Sequence, residues 1–451
     1  YPEVKQAILE CFKNIYDADL QRVSLPWVNL MIKDPSFDAL KNARMIADED
    51  EFKIWADGLN EETGAFLRDP YFTEGLRLLI VADTLVEAVL VQLRRYICIN
   101  LDSLVASQRI HLFEKFLYAL AEQCFFNEYI YAESNMETGI ISSLKSRNDK
   151  ITIGLVGCYK PLYMAMPDKA DLLHGFAKDD IDFSKLVKTQ FDDPLEEERL
   201  KEILPEFGKF SNEVSRAVQN QYEENPYPRW ITMYSIPLPH DDMIFEEKSR
   251  NLPYKILIAG CGTGRHAIGT AARHPNAKIT AIDLSRASLA YGLRKARECG
   301  VADRINFVHA DILSMKDWPE QFDIVECSGV LHHMEDPFLG WKTLNEKLKT
   351  NGCFKVGLYS ESARQPVVQA RNLIAAKGYS PTIEGIRTCR NDIIAMRADD
   401  PMRQYFLSSR DFYTTSLLRD FIFHVQEHRM TLNQIKGMMD ELGLISIKFI
   451  P

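Results

Sequence analysis

Ile256-Leu257-Ile258-Ala259-Gly260-Cys261-Gly262-Thr263-Gly264 reads as an apolar strand running straight into a G-x-G-x-G turn, with a helical pattern from Arg265. Glycines are needed there because the backbone must turn tightly and let a ligand approach where a Cβ would collide. In an open α/β sheet such a turn lies at the carboxyl end of a strand, where ligands bind. The usual dinucleotide fingerprint is spaced G-x-G-x-x-G, so the shorter run leaves less room for a pyrophosphate at the helix terminus. A plain tight turn would use the same glycines, and the residues that end the next strands discriminate between the two.

The second strand, Lys278 to Ile282, ends at Asp283, 19 residues after Gly264. A carboxylate there can accept both hydroxyls of a ribose; alternatively Asp283 or Ser285 caps the next helix. The third strand, Asn306 to His309, leads into Ala310-Asp311-Ile312, where the carboxylate can hold the exocyclic amine of an adenine. Phe322 to Cys327 and Gly352 to Tyr359 complete five strands interleaved with helical patterns, the signature of an α/β sheet.

The fourth strand continues as Phe322-Asp323-Ile324-Val325-Glu326-Cys327-Ser328-Gly329-Val330-Leu331-His332-His333-Met334-Glu335-Asp336-Pro337. Taken in order, G-C-G-T-G, the acidic end of the second strand, H-A-D-I and this run resemble the class I S-adenosylmethionine-dependent methyltransferases over about Tyr254 to Tyr359. The resemblance implies a Rossmann-like, doubly wound, mostly parallel sheet with S-adenosylmethionine as cofactor and S-adenosylhomocysteine as product. It further implies that Gly260, Cys261, Gly262 and Gly264 border the methionine part, that Asp283 with Leu284 meets the ribose, and that Asp311 and Ile312 meet the adenine. Ser328, Gly329 and the residues up to Leu331 would then lie near the sulfonium. The chemistry would be an in-line displacement on an activated methyl group, which needs positioning more than acid–base machinery. His332 and His333 are candidate general bases, because imidazole titrates near neutral pH; bracing of the loop is the alternative for at least one. The N-P-P-Y-like run of enzymes that methylate amide or nucleobase nitrogens is replaced by Cys327-Ser328-Gly329-Val330, which disfavours such acceptors.

Outside this core, Phe116 to Tyr129, Gln221-Tyr222-Glu223-Glu224-Asn225-Pro226-Tyr227-Pro228-Arg229-Trp230 and Arg419 to His428 resemble blocks of bacterial methyltransferases often fused to tetratricopeptide repeats. Two prolines stiffen Asn225 to Trp230, which is expected to act either as a lid carrying Tyr227 to the reaction and Arg229 to the cofactor's carboxylate or an acidic substrate, or as a rigid linker. Asn127, Glu128 and Tyr129 sit among apolar residues and must be hydrogen-bonded if buried. His424 and His428 are expected on one helix face, with His424 a further catalytic candidate. Zinc ligation by His424 and His428 is conceivable, but further Cys or carboxylate ligands at fitting spacing are absent from the sequence, so no metal is expected.

Residues 1–218 recur at helical spacing and are read as an α-helical domain, 219–253 as a linker or lid, and 254–359 as the core. Residues 360–442 read as a helical insertion after the fifth strand that roofs the crevice, and 443–451 as a returning strand. The stretch Leu76 to Leu93, interrupted by Asp83 and Glu87, reads as one buried helix rather than a membrane span. With 451 residues and 46% hydrophobic content the chain should hold two or three folded domains, and its net charge of −10 offers nucleic acid no general attraction. Nine scattered cysteines without C-x-x-C spacing fit a reducing, cytoplasmic setting. The absence of an initiator methionine suggests trimming before Tyr1, and the stop after a strand suggests sequence beyond Pro451. A large helical half suggests a protein or peptide acceptor; a small molecule, a non-catalytic cofactor-binding module and a nicotinamide enzyme are the alternatives.

Overall fold

The computed structural model describes residues 2–15, 19–42, 51–52, 54–55, 58–209, 213–233 and 253–449. These fall into two compact units: one gathers the residues up to Leu195, those at 230–233 and Tyr379–Leu418; the other gathers Glu196–Arg229, those from 253 to Gly378 and those from Arg419 onward. Of the expected linker, residues 234–252 lie outside the described residues.

The second unit holds one six-stranded sheet, in the order β1-β4-β3-β2-β5-β6. Its strands are β1 (Glu206–Phe207), β2 (Tyr254–Ala259), β3 (Ala277–Asp283), β4 (Ile305–Ala310), β5 (Phe322–Ser328) and β6 (Leu348–Gly357). All five neighbouring pairs are parallel. The sheet order reverses between β2 and β5, so the carboxyl ends of those two strands open the crevice in which such sheets bind ligands. Continuous apolar runs build the strands because both faces are covered. Leu257, Ala259, Ile282, Val308, Val325 and Cys327 pack on Trp341 and Leu344, and Ile435, Met438 and Met439 of the helix Leu432–Glu441 lie against the same core.

Three expectations are corrected. Residues 444–449 form no strand: Leu444 packs on the core, but Ile445, Ile447 and Phe449 are exposed and no ladder partner is present among the described residues. The short β1 was not foreseen; it adds Glu206 and Phe207 to the edge beside His309 and Ala310, so the sheet unit starts at Glu196 rather than after 218. The stretch 360–442 is not one body, since Gln365–Lys377 belongs to the sheet unit whereas Ile383–Ala395 and Pro401–Ser408 belong to the helical unit.

In the helical unit, Leu76 to Leu93 is two helices rather than one. Pro70–Leu78 ends, and Asp83 then caps Thr84–Ala106 by accepting from the Leu85 and Val86 N–H groups. Arg390 makes a bidentate ion pair with Glu87, both residues being buried. Glu128 and Tyr129 take left-handed backbone angles, φ +56° and +59°. That turn is held by the residues around it: the Glu128 carboxylate accepts from the Ser416 N–H at 2.6 Å, its carbonyl accepts from the Thr415 hydroxyl at 2.8 Å, and the Tyr129 carbonyl accepts from Arg387. Glu128 and Tyr129 thus tie the N-terminal helices to residues from late in the chain within one unit, whereas the Asn127 side-chain amide, buried as expected, has no hydrogen-bond partner among the described residues.

Candidate active site

Gly260, Gly262 and Gly264 all have positive φ, at +72°, +51° and +77°. The Gly260 and Cys261 N–H groups both donate to the Ile282 carbonyl at 2.9 Å, which folds the turn back over the end of β3. A Cβ at Gly260 would meet Val330 Cγ2 at 2.3 Å, and one at Gly262 would meet the Tyr227 carbonyl oxygen at 2.5 Å. Tyr227 and Pro228 therefore lie directly on the turn: the Thr263 N–H donates to the Tyr227 carbonyl at 3.1 Å and its hydroxyl to the Pro228 carbonyl. Arg229 holds its guanidinium 5.8 Å from the centre of the Tyr291 ring.

Asp283, partly buried at the end of β3, accepts from the Gly262 N–H at 2.7 Å and the Ser285 N–H at 2.9 Å. Burial pushes its carboxyl up to about 6. The helix cap falls to Ser285, whose hydroxyl accepts from the Ser288 N–H, so Asp283 keeps a free lone pair on each oxygen. The Leu284 carbonyl accepts from His309 at 3.0 Å. Asp311 is 2% exposed; its Oδ1 accepts from the Leu313 N–H at 2.9 Å, while Oδ2 is buried without a hydrogen-bond partner among the described residues. An orphaned carboxylate oxygen beside Ile312 is what an amine-bearing ligand would satisfy. At the end of β5, Ser328 and Gly329 are exposed. The Cys261 thiol is pushed well up by burial, so it offers packing and no nucleophile.

The histidines occupy distinct places. His332 is fully buried, stacked on Tyr359 at 3.7 Å, and neither ring nitrogen has a hydrogen-bond partner among the described residues. Burial and the neighbouring His333 push it down to about 2. His333 donates from Nδ1 to the Gln426 carbonyl at 2.7 Å, which leaves its Nε2 with a lone pair. Its ring stacks on His424 at 3.6 Å. His424 accepts from the Gln426 N–H on Nδ1 at 3.1 Å, so its Nε2–H faces the Tyr222 hydroxyl at 3.1 Å. Tyr222 donates in turn to Asp420 at 2.6 Å, and the Tyr227 hydroxyl donates to the same carboxylate. Burial holds His333 at about 4 and His424 at about 2, so both are neutral near pH 7, and it pushes Asp420 up to about 6.

One expectation fails here. The helix Thr415–Ile422 ends before His424, and residues 424–429 are not helical, so His424 and His428 share no helix face. His424 meets His333 instead, while the His428 N–H donates to the His332 carbonyl at 2.7 Å. Tyr222, Asp420 and Tyr359 were not singled out from the sequence. Tyr222 and Asp420 stand 198 residues apart, and their presence inside the two quoted blocks was the available signal.

A parallel sheet with its switch point at β2 and β5, a glycine turn there, and carboxylates ending β3 and following β4 define a class I S-adenosylmethionine-dependent methyltransferase core. The family described as "Methyltransferase domain" matches residues 256–352. Among curated proteins the chain is 34% identical over 179 residues to the uncharacterized protein syc1184_c of Synechococcus, covering 38% of this chain and 43% of that one. It is 32% identical over 107 residues to the ubiquinone biosynthesis O-methyltransferase of Pseudomonas syringae, covering 24% of this chain and 45% of that one. The chain thus spans less than half the length of these relatives. PKMT2 from Rickettsia typhi, solved in complex with AdoHcy, superposes with a TM-score of 0.33 at 17% identity, covering 42% of this chain and 39% of that one. No described helix is long and apolar enough to cross a membrane.

Proposed function

We propose that the chain is an enzyme that transfers the methyl group of S-adenosylmethionine to a hydroxyl oxygen of a small-molecule acceptor. Bound S-adenosylmethionine supplies a methyl group already activated on sulfur; the C–S bond breaks as the C–O bond forms and the hydroxyl proton leaves. In this reading the turn at Gly260, Cys261, Gly262 and Gly264 admits the methionine part, and Arg229 faces its carboxylate. Asp283, beside Leu284, accepts from the ribose hydroxyls, and Asp311 Oδ2 accepts from the adenine amine beside Ile312. Ser328 and Gly329 border the reacting methyl.

The observation that carries the acceptor assignment is the path from the glycine turn to the histidines. Val330 fills the space over Gly260, and its carbonyl accepts the His333 N–H at 2.9 Å. His333, His424, Tyr222, Tyr227 and Asp420 therefore sit one turn of chain from the methyl end of the crevice. His333 and His424 are buried and neutral near pH 7, and Tyr222 links His424 to the buried Asp420 carboxylate through hydrogen bonds of 3.1 and 2.6 Å, a setting that orients a hydroxyl and takes up its proton with little reorganisation. His332, enclosed against Tyr359, braces the turn. The name of the Pseudomonas syringae relative, an O-methyltransferase, agrees with an oxygen acceptor.

The test is incubation of the purified chain with methyl-tritiated S-adenosylmethionine and a lysate, fractionated into protein, nucleic acid and small molecules. Label is expected in the small-molecule fraction. Label confined to protein would replace the acceptor class, and no label despite cofactor binding would favour a non-catalytic module. His333→Ala is expected to lower kcat by about 10²-fold, the lower range for loss of a proton-handling group, with cofactor affinity unchanged within about threefold; a parallel loss of affinity would show that the residue only holds the fold.

A further inference from the structure

The geometry points to a divalent transition-metal site formed by His333, Asp420 and His424. One ligand atom from each of the three side chains lies within 4.8 Å of the others, and all three residues are buried, at 5%, 3% and 1% exposure. Metal–ligand bonds of about 2.0–2.2 Å place neighbouring ligand atoms roughly 3.0–3.6 Å apart, so the set closes by a contraction of the order of 1 Å together with rotation of the His424 ring out of its 22° stack on His333, which turns both nitrogen lone pairs onto one ion. Two imidazoles and one carboxylate suit Zn²⁺, Co²⁺ or Fe²⁺ rather than the all-oxygen preference of Mg²⁺ or Ca²⁺.

The surroundings are those a ligand set needs. Metal-bound histidines donate their other ring N–H to a fixed acceptor, and His333 does so to the Gln426 carbonyl, leaving Nε2 as the ligand atom. Ligating carboxylates are themselves hydrogen-bonded, and Asp420 is held by the Tyr222 and Tyr227 hydroxyls. No ion pair to Asp420 is present among the described residues, whereas its neighbours Arg364 and Glu427 bond to each other. His424 must change: for its Nε2 to ligate, its proton moves to Nδ1 and the local contact from the Gln426 N–H opens. That gives up two neutral hydrogen bonds, from the Gln426 N–H and to the Tyr222 hydroxyl, in exchange for a metal bond.

Three protein ligands leave a coordination position open, as catalytic metal sites do. Resting on the methyltransferase reading, that position would take the acceptor's oxygen and ease loss of its proton, which names the acceptor class as an oxygen ligand able to bind a divalent cation. The ion's binding is independent of that reading.

The test uses the full chain without a histidine tag, stripped with a chelator and titrated with Co²⁺. Expected are visible d–d bands saturating at one equivalent and displaced by Zn²⁺, lost in Asp420→Asn and in His424→Ala. Stabilisation of the same variants by S-adenosylhomocysteine serves as the control for folding. Absent bands in a chain that S-adenosylhomocysteine stabilises would overturn the site, as would intense near-ultraviolet sulfur-to-cobalt bands, which would place the ion on cysteines. Bands without any response to S-adenosylhomocysteine would keep the metal site and overturn the methyltransferase reading.

Discussion

Asp283→Ala is expected to lower affinity for S-adenosylhomocysteine by at least about 10²-fold, measured by calorimetry. The proposed contacts to the ribose are two charge-assisted hydrogen bonds, each worth roughly 1.5–3 kcal/mol, and a tenfold change is about 1.4 kcal/mol. The Gly262 and Ser285 N–H groups lose their acceptor at the same time, so the turn that receives the cofactor loosens. The same group sets the pH dependence. Burial raises the Asp283 carboxyl to about 6 in the free chain, and donor hydroxyls favour its ionised form. Affinity should therefore be full above pH 6 and fall below it, by at most tenfold per unit. The group's own effect on stability has the opposite sign: it is favourable below the ordinary carboxylate value and is lost as pH rises through about 6. An affinity flat between pH 5 and 7.5 would contradict the assignment.

Glu87→Ala should cost about 3–5 kcal/mol, the range for breaking a buried ion pair by removing one partner. Arg390, 1% exposed, would keep its charge with, among the described residues, only the Phe412 carbonyl at 2.9 Å as a remaining acceptor. The double substitution Glu87→Met with Arg390→Met should recover much of the loss, because it removes both charges and keeps the volume. Thermal denaturation of the three chains checks this. A single-variant loss below about 1 kcal/mol would show that water reaches the pair and that the helical unit does not depend on it.

The core was legible because its signals are local. A parallel strand covered on both faces is a continuous apolar run, and the turn after β2 needs glycine at three left-handed or crowded positions. Asp283 and Asp311 stand out in the sequence because residues at the carboxyl ends of such strands border the ligand crevice. The two-residue β1 was not legible, because Glu206-Phe207 has no periodicity and is a strand only by virtue of β4 beside it. The returning strand was over-read from the alternation in 444–449, which among the described residues finds no partner. Asp83 and Glu87 read in the sequence as breaks in an apolar stretch; Asp83 proves to be a local helix cap, whereas the pairing of Glu87 with Arg390, 303 residues away, needs the tertiary fold. The same distance problem hid the Tyr222–Asp420 pair and placed His424 against His333 rather than His428.

The most direct measurement is calorimetric titration of the chain with S-adenosylmethionine, S-adenosylhomocysteine and NAD. One site per chain shared competitively by the first two, with no heat from NAD, is the predicted result. Binding of NAD in place of both would contradict the account, because the carboxylates after β3 and β4 and the short glycine turn would then serve a different cofactor.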